Sequence, residues 1–203
     1  MIGIVNYGVG NLLSVYNAID FIGEDVEICN TPEELINKDK IVLPGVGSFK
    51  NGMSNLVDRG FYKTLDQLVV NEKRPILGIC LGMQLMADKS FEGGEHKGFG
   101  WIDGDVVPIN NQNSKLKIPH VGWNNINIKS ENRLLNGLPE NPDVYFVHSY
   151  YMKCKNNSDV IATCEYGDQL TASISNKNIY GTQFHPEKSQ EYGIRILENF
   201  CSI

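Results

Sequence analysis

The sequence lacks any apolar run long enough to cross a membrane. Its start, Met1-Ile2-Gly3-Ile4-Val5, lacks the basic stretch and cleavage site of a signal peptide and reads as a first strand. No Lys/Arg cluster offsets the net charge of −6, which argues against a nucleic-acid partner. No Gly-Lys-Ser/Thr phosphate loop occurs. Gly8-Val9-Gly10 has Leu13 where a dinucleotide loop has its third glycine. The four histidines (His96, His120, His148, His185) show no metal-ligand spacing with one another or with cysteine, so no metal is expected. The five cysteines (Cys29, Cys80, Cys154, Cys164, Cys201) are odd in number and form no Cys-x-x-Cys. Reduced thiols in a cytoplasmic protein are the default for such a chain. There is no repeat, low-complexity tract or convincing linker, and one domain over residues 1–203 is expected.

Hydrophobic residues make up 41% and charged residues 21% of the 203, an ordinary balance for a globular chain. The first half alternates strands and helices. Strand Ile2–Val5 leads into a helix with Leu12, Val15, Tyr16 and Ile19 at helical spacing. Strand Asp25–Cys29, a capping box at Thr31-Pro32-Glu33-Glu34 and strand Lys40–Leu43 follow. One or two helices cover Phe49–Val70 before strand Pro75–Ile79. This rhythm predicts an α/β fold: an open, mainly parallel, doubly wound sheet with helices on both faces. From about Gly98 the texture changes. Gly122–Lys129, Val144–Tyr151, Val160–Tyr166 and Gln169–Ser175 predict a mixed or antiparallel extension, closed by a helix over Ser189–Cys201.

Gly78-Ile79-Cys80-Leu81-Gly82 carries the chemistry. A strand running into a helix near Leu81, with glycines flanking a cysteine, is the pattern of a nucleophile elbow. So sharp a turn needs small flanking residues, and it sets the thiol at a helix N-terminus, which favours thiolate. After a second apolar strand, Ile179–Phe184, His185-Pro186-Glu187 supplies a base and an orienting carboxylate. The bland alternative makes Cys80 a buried small hydrophobe. Pro44-Gly45-Val46-Gly47 sits at the carboxyl end of the third strand, where open α/β sheets bind ligands. The region of Val46 and Gly47 would pair with the Leu81 N–H as an oxyanion hole; a plain turn is the alternative. Asn11 reads as a helix cap or a surface residue near the sheet's carboxyl edge. Lys117-Ile118-Pro119-His120-Val121-Gly122-Trp123-Asn124 is poor core material, read as a contact surface or as an edge segment with one buried Trp. In Val147-His148-Ser149-Tyr150-Tyr151, His148 reads as a hydrogen-bonded core histidine, and Ser149 and Tyr150 as pocket-lining residues.

The elbow and His-Pro-Glu resemble the class I, triad-type glutamine amidotransferases. Asn6-Tyr7-Gly8, Gly10-Asn11-Leu12, Pro44–Phe49, Pro119–Asn124, Tyr145–Tyr151 and Gly181–Ser189 resemble, within that class, the glutaminase subunits of imidazole glycerol phosphate synthases. The resemblance spans essentially the whole chain, with Val121 standing where those subunits commonly have Met. It implies that Cys80, His185 and Glu187 hydrolyse L-glutamine to glutamate and ammonia through a thioester, with no cofactor. It implies that Gln84, Gly47, Ser149 and Tyr150 belong to the glutamine pocket. It also implies a heterodimer with a (β/α)₈-barrel cyclase subunit that uses the ammonia in histidine biosynthesis. Docking would occur on the sheet's carboxyl edge, with Asn11, Pro119 and Trp123 on the docking face. Related subunits serve amidotransfer to surface sugars, and the triad does not separate the two. A partner-independent cysteine hydrolase and a non-catalytic binding subunit with a vestigial triad are the remaining alternatives.

Overall fold

The computed structural model describes residues 1–110 and 116–203. The first half runs β1 (Ile2–Val5), α1 (Leu12–Ile22), β2 (Val26–Cys29), α2 (Pro32–Leu35), β3 (Lys40–Gly45), α3 (Phe49–Asp58), α4 (Phe61–Asp66), β4 (Ile76–Cys80) and α5 (Leu81–Gln84). The second half runs β5 (Ala87–Ser90), β6 (His96–Lys97), β7 (Ile102–Pro108), β8 (His120–Asn125), β9 (Asn127–Ile128), β10 (Asp143–His148) and β11 (Tyr150–Cys154). It ends with β12 (Val160–Tyr166), β13 (Asp168–Asn176), β14 (Ile179–Thr182) and α6 (Gln190–Cys201).

Among the described residues the main sheet has the order β2-β1-β3-β4-β14-β13-β12-β9. The strands from β2 to β14 are parallel. β13, β12 and β9 add an antiparallel edge. The expected open α/β sheet with an antiparallel extension is what the chain forms. Side chains alternate across it. Ile2, Ile4, Val42, Leu77 and Ile79 face one core, with Ile19 of α1 and Leu197 and Phe200 of α6. Val5, Ile41, Leu43 and Ile76 face the other, with Phe49, Leu56, Phe61 and Leu65 of α3 and α4. Two-sided burial is why these strands read as unbroken apolar runs. Truncating one such side chain to alanine costs about 2–5 kcal/mol.

Local signals set the helix ends. Asn11 Oδ1 accepts from Ser14 N at 3.4 Å at the start of α1, and Gly23, at φ 89°, ends the helix in the left-handed region. Glu34 closes the capping box at Thr31.

Sequence boundaries move in several places; strand Ile179–Phe184, for one, ends at Thr182. β3 runs past Leu43 because Pro44 and Gly45 continue pairing, with Ile79 and Cys80. The helix after Cys80 is a single turn, α5, before the chain enters β5. The segment read as Gly122–Lys129 is two short strands, β8 from His120 and then β9. The segment read as Val144–Tyr151 breaks at Ser149: β10 pairs with β8, whereas β11 joins a second sheet of order β11-β7-β5-β6. Alternation in sequence continues through such a break, because a strand can change partners without changing its residue pattern.

The glycines of the elbow are fixed by contact. A Cβ on Gly82 would stand 1.7 Å from the Leu43 carbonyl of β3, and one on Gly78 would stand 2.6 Å from the Met83 nitrogen. Gly82→Ala should therefore destabilise the fold by more than ~3 kcal/mol in denaturant unfolding. Gly23→Ala, with nothing within 4 Å but a left-handed φ, should cost only about 1–2 kcal/mol. Equal losses at the two sites would contradict this packing.

Candidate active site

Cys80 ends the central strand β4, with β3 on one side and β14 on the other. Its backbone lies at φ 53° and ψ −109°, a region that costs a side-chain-bearing residue about 1–3 kcal/mol. The strain turns Sγ out of the sheet at the head of α5. The helix is a single turn and carries little dipole, so neighbouring groups matter more for the sulfur. Gln183 Nε2 donates to Sγ at 3.6 Å, and the thiol donates to the Val147 carbonyl at 3.9 Å.

His185 follows β14, the strand paired with β4, so two adjacent parallel strands deliver thiol and imidazole to one edge. The turn Pro186–Lys188 folds the next carboxylate back, and His185 Nδ1 lies 2.8 Å from Glu187 Oε1. The two side chains are only 3% and 2% exposed. Ser189 Oγ donates to the His185 carbonyl at 2.7 Å and accepts from Tyr145 N, which locks the turn. His185 Nε2 is buried without a conventional hydrogen bond, and its electrostatic partner is the Cys80 thiol. Burial pulls the His185 pKa down, but Cys80 and Glu187 outweigh it and raise it to about 9. The imidazole therefore carries its proton at neutral pH.

A cavity of about 270 Å³ opens onto Sγ, lined by Val46, Gly47, Cys80, Leu81, Gln84, Glu92, Pro119, Val147, His148, Ser149 and Tyr150. Every pocket or oxyanion residue chosen from sequence borders it: Val46, Gly47, Leu81, Gln84, Ser149 and Tyr150. Gly47 stands at φ 101°. A larger crevice, lined in part by Glu131, Arg133 and Asn199, contains none of these residues. Of the residues chosen for a docking face, Pro119 borders the cavity, and Asn11 caps α1 at the same edge of the sheet. Trp123 is 48% exposed on β8, its ring edge-on to Tyr145 with centroids 6.1 Å apart. It is not a core residue.

Four participants were missed. Glu92 is the carboxylate on the cavity wall, where it accepts from Phe49 N at 2.7 Å. It belongs to a loop after β5, and nothing in its neighbourhood in sequence marks it. Gln183 is fully buried beside the sulfur. Tyr7 is fully buried beneath the Gly45 turn, its hydroxyl unpartnered and its pKa raised by burial and by Cys80. A Cβ on Gly45 would meet that hydroxyl at 2.3 Å. His120, passed over within a segment read as a contact surface, is buried against His148 at 3.0 Å. Among the described residues no group of three or more His, Cys, Asp or Glu could hold a metal ion, and no helix is long and apolar enough to cross a membrane.

Residues 4–203 match the family model "Glutamine amidotransferase class-I". The chain is 46% identical to the imidazole glycerol phosphate synthase subunit HisH of Leptospira borgpetersenii, over 100% of both chains. It is 47% identical to subunit HisH 2 of Methanococcus maripaludis, over 98% of both. Among solved structures it resembles PurLQS from Thermotoga maritima, with a TM-score of 0.75 at 16% identity, covering 99% of this chain and 97% of that one. At that identity the likeness speaks for the fold alone.

The raised His185 pKa sets a pH dependence. The proton held on His185 stabilises the fold fully below its ordinary pKa of 6.5, and that contribution is lost as pH rises through about 9. Thermal unfolding across this window should show the decline, and Glu187→Gln, which removes one of the two groups holding the proton, should shrink it. Superimposable pH–stability curves for the two proteins would contradict the assignment.

Proposed function

The chain belongs to the class-I glutamine amidotransferases and, within them, to the HisH subunits of imidazole glycerol phosphate synthase, and we propose that it hydrolyses L-glutamine with Cys80, His185 and Glu187 and passes the ammonia to a cyclase subunit. The observation that carries this reading is the Cys80 sulfur on the cavity wall, with the buried His185–Glu187 pair in the turn that follows the adjoining strand.

In this reading the Cys80 thiolate attacks the side-chain amide carbon of glutamine. Backbone N–H groups of Leu81 and of the Val46–Gly47 turn meet the developing oxyanion. The His185 imidazolium gives its proton to the nitrogen as the C–N bond breaks, releasing ammonia and leaving a γ-glutamyl thioester. His185, now neutral, takes a proton from water, whose oxygen attacks the thioester carbon. Glutamate leaves, and the proton returns the Cys80–His185 pair to its starting state. Glu187 holds the ring and the positive charge on it. Gln84, Ser149 and Tyr150 shape the glutamine pocket, and Glu92 supplies a negative charge for the ligand's ammonium group. These groups suffice for the chemistry without a cofactor.

The partner is a (β/α)₈-barrel cyclase subunit that closes the imidazole ring of imidazole glycerol phosphate, in the cytoplasm, as part of histidine biosynthesis. It docks over the sheet's carboxyl edge on Asn11, Pro119 and Trp123, and residues 1–203 act as one domain. A second reading, ammonia supply for amidotransfer to a surface sugar, would use the same triad and the same cavity. Gene neighbourhood and the ammonia acceptor separate the two.

Cys80→Ser should abolish glutamine hydrolysis and leave the fold intact. A diazo-ketone analogue of glutamine should label Cys80 alone. Burial lifts the other thiols out of the reactive range, Cys29 and Cys201 to about 11 and Cys154 and Cys164 to about 12. Label on any of those four, or undiminished turnover in the variant, would remove Cys80 from the mechanism.

Trp123→Ala should weaken cyclase binding by about 2 kcal/mol or more, roughly 30-fold in Kd, with little change in the melting temperature of the isolated subunit. A large fall in melting temperature with unaltered affinity and ammonia transfer would return Trp123 to a structural role.

A further inference from the structure

A continuous run of hydrogen bonds connects β8 to the nucleophile. Asn124 Nδ2 lies 3.3 Å from His120 Nε2, and His120 Nδ1 lies 3.0 Å from His148 Nε2. His148 Nδ1 lies 2.9 Å from the Tyr150 carbonyl. That carbonyl also accepts from Gln84 Nε2 at 2.9 Å, and the same Gln84 nitrogen donates to Gln183 Oε1 at 3.0 Å. Gln183 Nε2 then donates to Cys80 Sγ at 3.6 Å. His120, His148, Gln84 and Gln183 are all at most 6% exposed.

The partners fix the protons between His120 and Cys80. A carbonyl only accepts, so His148 carries its hydrogen on Nδ1. As a neutral ring it then accepts at Nε2, which makes His120 Nδ1 a donor as well. His120 Nε2 is left as an acceptor facing Asn124 Nδ2, which it shares with Cys164 Sγ and the Glu165 carbonyl, both at 3.1 Å; the Asn124 amide is held the right way round because its Oδ1 accepts from Asn125 N at 2.9 Å. On the other arm, the Tyr150 carbonyl takes its second donor from Gln84. Both Gln84 amide hydrogens are then spent, one of them on Gln183 Oε1. Gln183 is therefore turned so that its N–H, and not its carbonyl, faces the sulfur. Burial supports neutral rings, since it lowers both histidine pKa values to about 4. His120 is also clasped between the rings of Tyr166 and Phe146, at 3.9 and 4.8 Å.

We propose that Asn124, His120, His148, Gln84 and Gln183 form one positioning network, its two arms meeting at the Tyr150 carbonyl, which holds an N–H donor against Cys80 Sγ and so favours its thiolate. Reversing the Gln183 amide would set a carbonyl dipole against the developing negative charge. The neutral histidine pair prevents this by fixing the Tyr150 carbonyl, to which Gln84 is tied. His120 and His148 act through other groups, although His148 also borders the cavity that opens onto Sγ.

The inference rests on Cys80 being the nucleophile of the proposed function, but its test needs neither glutamine nor a partner. The rate and pH dependence of Cys80 alkylation by iodoacetamide read the thiolate directly. Gln183→Leu, which removes the N–H at similar volume, should slow alkylation at neutral pH about 10-fold and raise the apparent thiol pKa. His148→Leu should act in the same direction. His148→Asn, which can place a donor where Nδ1 stood, should restore most of the rate. Nitrogen NMR of the histidine-labelled wild type should show two neutral rings protonated at Nδ1, the minor form in free histidine. Wild-type alkylation kinetics in Gln183→Leu, or Nε2-protonated or charged rings at neutral pH, would overturn the network. Should His148→Leu fail to fold, Gln183→Leu and the wild-type spectrum decide. Failure of glutamine hydrolysis with normal alkylation shifts would count against the proposed function and leave this network standing.

Discussion

The backbone at Cys80 cannot relax without dismantling what surrounds it. At φ 53° the residue stores strain, and the strain persists because both neighbours are pinned. Any side chain on Gly82 would collide with the Leu43 carbonyl of β3, and any on Gly78 with the Met83 backbone. On the far side, β14 lies in register with β4, Gly181 level with Gly78, and so brings His185 to the same edge. The Gly45 turn comes flush with Cys80 through the last pairing of β3. Cys80, His185 and the Gly45–Gly47 turn are thus brought to one edge by one register across three adjacent parallel strands.

Within that edge, histidines in similar depth of burial take opposite charge states. His185 faces a carboxylate and a thiol and is held protonated toward pH 9. His120 and His148 face each other, a carbonyl and an amide, and stay neutral down to about pH 4. Environments that push titratable groups apart in this way separate a residue that moves protons from residues that hold geometry. Cys80 and Glu187 together make the difference, and the Glu187 carboxylate reaches His185 because the Pro186–Lys188 turn folds it back onto the ring.

Much of this was legible in the residues. The elbow, His-Pro-Glu and the Pro-Gly-Val-Gly turn each carry their chemistry within a few consecutive positions, and each lies on the cavity or beside it. The doubly wound sheet was legible because strands buried on both faces are short apolar runs separated by helical periodicity. Partners distant in sequence were not legible. Nothing near Glu92 announces a cavity wall, and Gln183 looks like any polar residue before Phe184. The His120–His148 pair depends on β8 and β10 lying side by side in register, which no local pattern encodes. The break at Ser149 was hidden for the same reason: the chain keeps alternating while it changes sheets.

The central claim is that ammonia released at Cys80 is used by a partner to close an imidazole ring. The direct measurement supplies glutamine labelled at its amide nitrogen to this chain together with its cognate cyclase subunit and the histidine-pathway ribonucleotide, in buffer with no other ammonia source. Label should enter the ring of imidazole glycerol phosphate with wild-type protein and fail to do so with Cys80→Ser. Added ammonium salt should restore ring closure to the variant. Labelled glutamate and ammonia formed without label in the ring, or incorporation that survives Cys80→Ser, would contradict the account.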